Sequence, residues 1–172
     1  MLNIGLIGCG RISKNHFEAI AQQPDAQCIA CCDIIEERAR TAAQKCNIPT
    51  WTTDYEEMLQ NTDIDLISIC TPSGLHPEHG ILAAKAGKHV LTEKPMACRL
   101  AEADELIKAC DEAGVKLFVV LQNRLNPAIQ MVRRAFEAGR FGKIYMITSN
   151  VFWTRPQEYY DMAPWRGTWA LD

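Results

Sequence analysis

The chain has 172 residues, enough for one domain of ordinary size and little more. Its 18 basic and 21 acidic residues leave a formal charge of −3, which gives no support to nucleic-acid or membrane-surface binding. No apolar run approaches the ~20 residues of a spanning helix, and strand-like sequence begins at once without a basic region and cleavage site, so a cytoplasmic protein is expected.

Leu2, Ile4, Leu6 and Ile7 form a short branched-apolar run that suits a strand buried on both faces. Gly8-Cys9-Gly10-Arg11-Ile12-Ser13 then makes a tight turn into a segment of helical spacing. Gly8 can take a turn conformation that a side chain resists, and Gly10 lets the backbone approach a pyrophosphate. The amides that open the next helix, at Arg11 and Ile12, would face that anion. Ser13 stands where the third glycine of the dinucleotide fingerprint usually lies, and a small residue serves there. An ordinary strand-to-helix turn is the alternative.

A second strand, Gln27–Cys32, ends in Asp33, about where the fingerprint expects an acid on the ribose hydroxyls. No Arg or Lys follows before Arg38, so NAD is favoured over NADP. A helix N-cap is the other reading of Asp33. Of the eight cysteines, Cys28 and Cys31 make a C-x-x-C, but positions three apart on a strand point to opposite faces. All eight read as small buried hydrophobes, with no metal site.

Further along, Ile12, His16, Phe17 and Ile20 share one face of a helix ending near Pro24, and a polar helix spans about Glu36–Cys46. Asp54 and Glu57 have capping-box spacing for a short helix to Leu59. Strands at 65–70, 89–92 and 115–121 alternate with helices at about 75–86, 100–113 and from Asn126-Pro127 to Gly139. The expected fold is α/β, a doubly wound parallel sheet (Rossmann-like) over residues 1–122. Residues 123–172 read as a linking helix and the start of a second α+β domain, with a strand at Ile144–Trp153 and an aromatic, basic tail. The chain is expected to be the front part of a larger protein.

GLIGCGRIS, Asp33, TPSGLH (71–76), TEKPMA (92–97) and QNRLNP (122–127) together resemble the Gfo/Idh/MocA family of NAD(P)-dependent sugar and cyclitol oxidoreductases. The tail VFWTRPQEYYDMAPWRGTWALD resembles a narrower group of that family, the WlbA-type enzymes, which oxidise C3 of UDP-N-acetylglucosaminuronic acid for bacterial surface polysaccharides. Ligands of open α/β sheets bind beyond the carboxyl ends of the strands, where the Gly8 turn, Asp33, Thr71-Pro72, Glu93-Lys94 and Asn123-Arg124 all fall. The resemblance implies NAD as cofactor and Lys94 as the catalytic group beside the nicotinamide ribose and the sugar hydroxyl. It places the proton-accepting histidine in the second domain, outside these residues, and His16, His76, His79 and His89 are not expected to replace it. His76 reads as lining the cofactor site or as a surface residue.

A uronic acid carboxylate and a diphosphate both suit arginine, so Arg155 and Arg166 are candidate substrate residues. Tyr159, Tyr160 and Trp165 would stack beside them, or else pack between domains. The expected function is oxidation of a sugar nucleotide by an intact protein that is a dimer or tetramer. Another sugar or inositol dehydrogenase, or a stand-alone NAD-binding module, is the rival reading.

Overall fold

The computed structural model describes residues 1–172. Six strands, β1 (Leu2–Ile7), β2 (Ala26–Cys32), β3 (Thr50–Thr52), β4 (Leu66–Ile69), β5 (His89–Thr92) and β6 (Leu117–Val119), pair in parallel in the order β3-β2-β1-β4-β5-β6. The chain builds outward from β1 on one side, then crosses back and builds outward on the other. This is the doubly wound sheet expected from the alternation of strands and helices.

The apolar runs are buried on both faces because helices cover both. On one face Leu6 and Cys31 pack with Phe17 of α1 (Ser13–Ala21) and Ala43 of α2 (Glu36–Cys46). On the other, Ile7, Ile67, Ile69 and Val90 pack with Met58 of α3 (Tyr55–Leu59), Ala83 of α4 (His76–Lys85) and Leu106 of α5 (Leu100–Ala113). Asp54 caps α3 through the amides of Glu56 and Glu57, as its spacing predicts.

Several elements differ from expectation. The three-residue strand β3 has no signal of its own in the sequence: Thr-Trp-Thr is too short to mark a strand without its neighbour β2. A 3-10 turn, Ser73–Leu75, precedes α4, and β6 keeps only the middle of its predicted span. Residues 144–153 form no strand, because alternation alone makes none without a ladder partner.

Strand β2 also departs from simple alternation. Ile4 pairs with Cys28 but Gly5 pairs with Ala30, so Ile29 is an extra residue, a β-bulge. The bulge brings Cys28 to the cluster that holds Cys31, on the same face and not the opposite one. No disulfide forms, and no group of three His, Cys, Asp or Glu side chains is placed to hold a metal ion.

The chain divides into two compact units, Met1–Val120 with Gly167–Asp172, and Leu121–Arg166. In the first, the Gly74 amide donates to the Leu171 carbonyl at 3.2 Å, and a Cβ on Gly74 would collide with the Ala170 carbonyl oxygen. The second holds a 3-10 turn (Gln122–Leu125), α6 (Pro127–Glu137) and α7 (Gln157–Asp161). Asn126 caps α6 by accepting the Ala128 amide at 3.0 Å.

Candidate active site at the carboxyl ends of the strands

Backbone bonds align the strand ends. Gly8 N–H donates to the Cys32 carbonyl at 2.7 Å, Cys70 N–H to Ile7 at 2.8 Å, and Glu93 N–H to Ile69 at 3.0 Å. The residues that follow β1, β2, β4 and β5 therefore leave the sheet side by side, around the point where the strand order reverses.

Gly8 has φ +94°, and a Cβ there would lie 2.8 Å from the carbonyl carbon of Cys70. Both its conformation and the close approach of β4 demand glycine. At Gly10 an added Cβ meets nothing within 4 Å, so the space over the turn is open. Ser13 is buried and its hydroxyl donates to the Gly10 carbonyl at 2.6 Å, which explains how serine replaces the third glycine: it ties the turn closed. The amides of Gly10, Arg11 and Ile12 have no acceptor within the chain. They face no internal competitor for an anion at the start of α1.

Asp33 is buried at the end of β2, and both its carboxylate oxygens are engaged. One accepts the Cys9 amide and the other the Ile35 amide, each at 2.9 Å. The N-cap position of α2 is Ile35, not Asp33. The carboxylate braces the glycine turn and keeps lone pairs for ribose hydroxyls. An open turn, free amides and an acid at this spacing fit NAD.

On the other side of β1, Glu93-Lys94-Pro95 follows β5. Lys94 is exposed, and the Lys94–Pro95 peptide is cis. The buried Glu93 carboxylate accepts from His16 Nε2 at 2.9 Å and from the Lys94 amide at 3.2 Å. Burial opposes its charge, but these hydrogen bonds outweigh it and hold the carboxyl below the ordinary glutamate value. His16 Nδ1 lies 2.8 Å from Ser68 Oγ in the middle of β4.

His76 is 1% exposed, and it joins two loops. Its Nδ1 lies 2.7 Å from the Pro95 carbonyl oxygen and its Nε2 2.9 Å from that of Thr71. Thr71 and Pro72 are half-buried, and the Thr71 hydroxyl meets His79 Nδ1 at 3.1 Å. Burial lowers the pKa of His79, whose ring the Tyr55 ring meets edge-on at 4.6 Å.

In the sequence His16 shares the apolar face of α1 and has no evident role. A signal was there: a histidine in an apolar helical stripe and a serine inside the Leu66–Ile69 run are buried polar groups that each require a partner. The thiols of Cys28 in mid-strand and Cys32 beside the turn are pushed by burial up to about 12 and stay protonated and unreactive.

Within the second unit the arginines and aromatics come together. The Arg155 guanidinium lies 4.2 Å from the centre of the Trp153 ring and 4.7 Å from that of Tyr159. Arg166 lies 4.1 Å from the same Tyr159 ring and 5.5 Å from that of Trp165, and it donates to the Tyr159 carbonyl at 2.8 Å. Tyr160 stands edge-on to Tyr159 at 5.3 Å. Asn123 and Arg124 are exposed on the 3-10 turn of this unit.

Among solved structures, the chain is similar to the WlbA dehydrogenase from Bordetella pertussis in complex with NADH and UDP-GlcNAcA. It shares 51% identity and a TM-score of 0.95, covering 99% of this chain and 52% of that one. The WlbA dehydrogenase from Chromobacterium violaceum, also with NADH and UDP-GlcNAcA, gives 47% identity and 0.95, over 99% of this chain and 50% of that one. D-apiose dehydrogenase of Paraburkholderia graminis is 39% identical over 80% of this chain and 36% of its own length. Myo-inositol 2-dehydrogenase of Thermotoga maritima is 32% identical over 85% and 44%. The chain thus spans about half the length of its structural relatives or less of its sequence relatives. Residues 2–121 match the family described as oxidoreductase family, NAD-binding Rossmann fold, and the chain belongs to this Gfo/Idh/MocA family.

Proposed function

We propose that the protein carrying this chain oxidises a sugar hydroxyl with NAD, and that its substrate is UDP-N-acetylglucosaminuronic acid, oxidised at C3. The observation that carries this reading is the likeness to the two WlbA dehydrogenases, which covers 99% of the chain, tail included. The apiose and inositol dehydrogenases cover 80% and 85%, so the likeness to them leaves more of the chain unmatched. We place the reaction in the cytoplasm, in surface polysaccharide biosynthesis, and expect a homo-oligomer.

Gly8, Gly10, Arg11 and Ile12 would hold the diphosphate, Asp33 the adenosine ribose, and Thr71, Pro72, Glu93, Lys94 and Asn123 the nicotinamide end. The bound cofactor supplies the hydride acceptor. Lys94 donates a hydrogen bond to the reacting oxygen and stabilises the negative charge that builds there as the hydroxyl proton leaves. Arg155 and Arg166 pair with the carboxylate and diphosphate, and Tyr159, Tyr160 and Trp165 cover the sugar and base.

None of the four histidines is placed to take the proton. His16 and His76 have both ring nitrogens engaged, and His79 is held by Thr71. His89 begins β5, at the opposite end of the sheet from Lys94. The family resemblance implies a proton acceptor in a second domain.

Calorimetric titration tests the reading. Micromolar NAD binding with much weaker NADP is expected, followed by binding of the UDP-sugar acid to the NADH complex. Binding of NAD with no response to the sugar acid, but oxidation of inositol or a neutral sugar, would move the assignment to another dehydrogenase of the family.

A further inference from the structure

We propose that His16 and His76 are positioning residues that hold the Glu93-Lys94-Pro95 tripeptide from both faces of the sheet and so keep Lys94 in a single orientation. The inference rests on the reading of Lys94 as the residue beside the nicotinamide and the sugar hydroxyl.

The last ladder bond on this stretch is that of the Glu93 amide to Ile69. Beyond it, side chains hold the backbone. The Lys94 amide is bound by Glu93 Oε2 at 3.2 Å, and Glu93 Oε1 is bound by His16 at 2.9 Å, which is anchored in turn on Ser68 at 2.8 Å. The Pro95 carbonyl meets His76 Nδ1 at 2.7 Å, and the same ring reaches Thr71 on the neighbouring loop at 2.9 Å.

The two histidines come from opposite layers. His16 lies on α1, whose Phe17 packs on one face of the sheet, and His76 opens α4, whose Ala83 packs on the other. Both are buried, at 8% and 1% exposure, with every ring nitrogen within hydrogen-bond distance of a protein oxygen. Neither is free to bind a ligand, so what they can offer the site is the placement of the one exposed residue between their partners. A buried, fully bonded support of this kind is what fixes a reacting side chain to within the fraction of an ångström that catalysis needs.

Lysine acetylation by acetic anhydride, read at Lys94 by peptide mass spectrometry with and without NADH, tests the proposal. NADH affinity from nicotinamide fluorescence and thermal melts serve as controls. In the wild type NADH should slow acetylation of Lys94 about tenfold, because a held lysine is covered by the nicotinamide end. In His16→Leu and His76→Leu, NADH should bind within about threefold of the wild type while its protection of Lys94 falls below about twofold.

His16→Gln keeps a donor near the Nε2 position and His76→Asn one near Nδ1, and both should restore protection. Glu93→Met, of similar volume but with neither carboxylate oxygen, should lose it; this variant decides the matter if the leucine variants do not fold. Undiminished protection in folded leucine variants, or in folded Glu93→Met, overturns the brace. Absence of protection in a wild type that binds NADH instead overturns the placement of Lys94 at the nicotinamide.

Discussion

Asp33 accepts the amide proton of Cys9 at 2.9 Å, so the acid at the end of β2 is built into the glycine turn that follows β1. The same carboxylate that would bind ribose shapes the surface that would bind diphosphate. Cofactor recognition and loop order thus share one side chain.

Asp33→Ala should therefore do two things. It removes the ribose acceptor and leaves the Cys9 and Ile35 amides unpaired, costing about 1–3 kcal/mol of stability. NAD affinity should fall at least about tenfold by calorimetry, the loss of one hydrogen bond to a charged group. Asp33→Asn, which keeps an oxygen for one amide, should recover more of the stability than of the affinity.

Gly8→Ala should be among the most damaging small substitutions in the chain. The methyl group meets the Cys70 carbonyl carbon at 2.8 Å, and the backbone sits at φ +94°. A loss of about 2–4 kcal/mol in urea melts is expected from strain plus displacement of β4. Gly10→Ala meets nothing in the protein, so it should leave the melt nearly unchanged while NAD binding falls.

Acid should destabilise the protein in two steps. Burial lowers the pKa of His79 below its ordinary 6.5, so the unfolded chain takes up its proton first and stability is lost as pH falls from 6.5 toward the folded value. Glu93 is also lowered, from 4.5, and its contribution is lost as pH falls below that. Melting temperature should decline between pH 7 and 5 and again below 4.5. His79→Asn should flatten the first decline and spare the second. An unchanged first slope would show that His79 is not its source.

Leu106 is fully buried, and its Cδ1 lies 2.7 Å from where a Cβ on Gly80 would be, so α5 packs closely on α4 at this glycine. Leu106→Ala should cost about 3 kcal/mol. Gly80→Ala should also destabilise, by overpacking. Pairing the two should recover part of the loss, because the cavity left by the leucine accepts the new methyl group.

The parts of the site legible in the sequence are those with local signals: a strand that stops at Gly8, another that stops at Asp33, and a third that stops at Glu93-Lys94. Their convergence follows from parallel topology alone. What escaped is non-local. His16 finds Glu93 across 77 residues, and β3 exists only because β2 offers an edge. Residues 144–153 show the reverse case, an alternating pattern with no partner.

The bulge at Ile29 changes how strand β2 should be counted. Residues up to Cys28 and residues from Ala30 onward follow opposite parities, and a single inserted residue reconciles them. Deleting Ile29 would make the partners of Ile4 and Gly5, Cys28 and Ala30, adjacent in the chain, so plain alternation would keep both halves on their present faces. Were Ile29 instead to pair with Gly5 in an unbroken ladder, Cys31 would take the place of Cys32 and Asp33 would be carried past the Cys9 amide. One residue in mid-strand thus sets the phase of the carboxylate at its end.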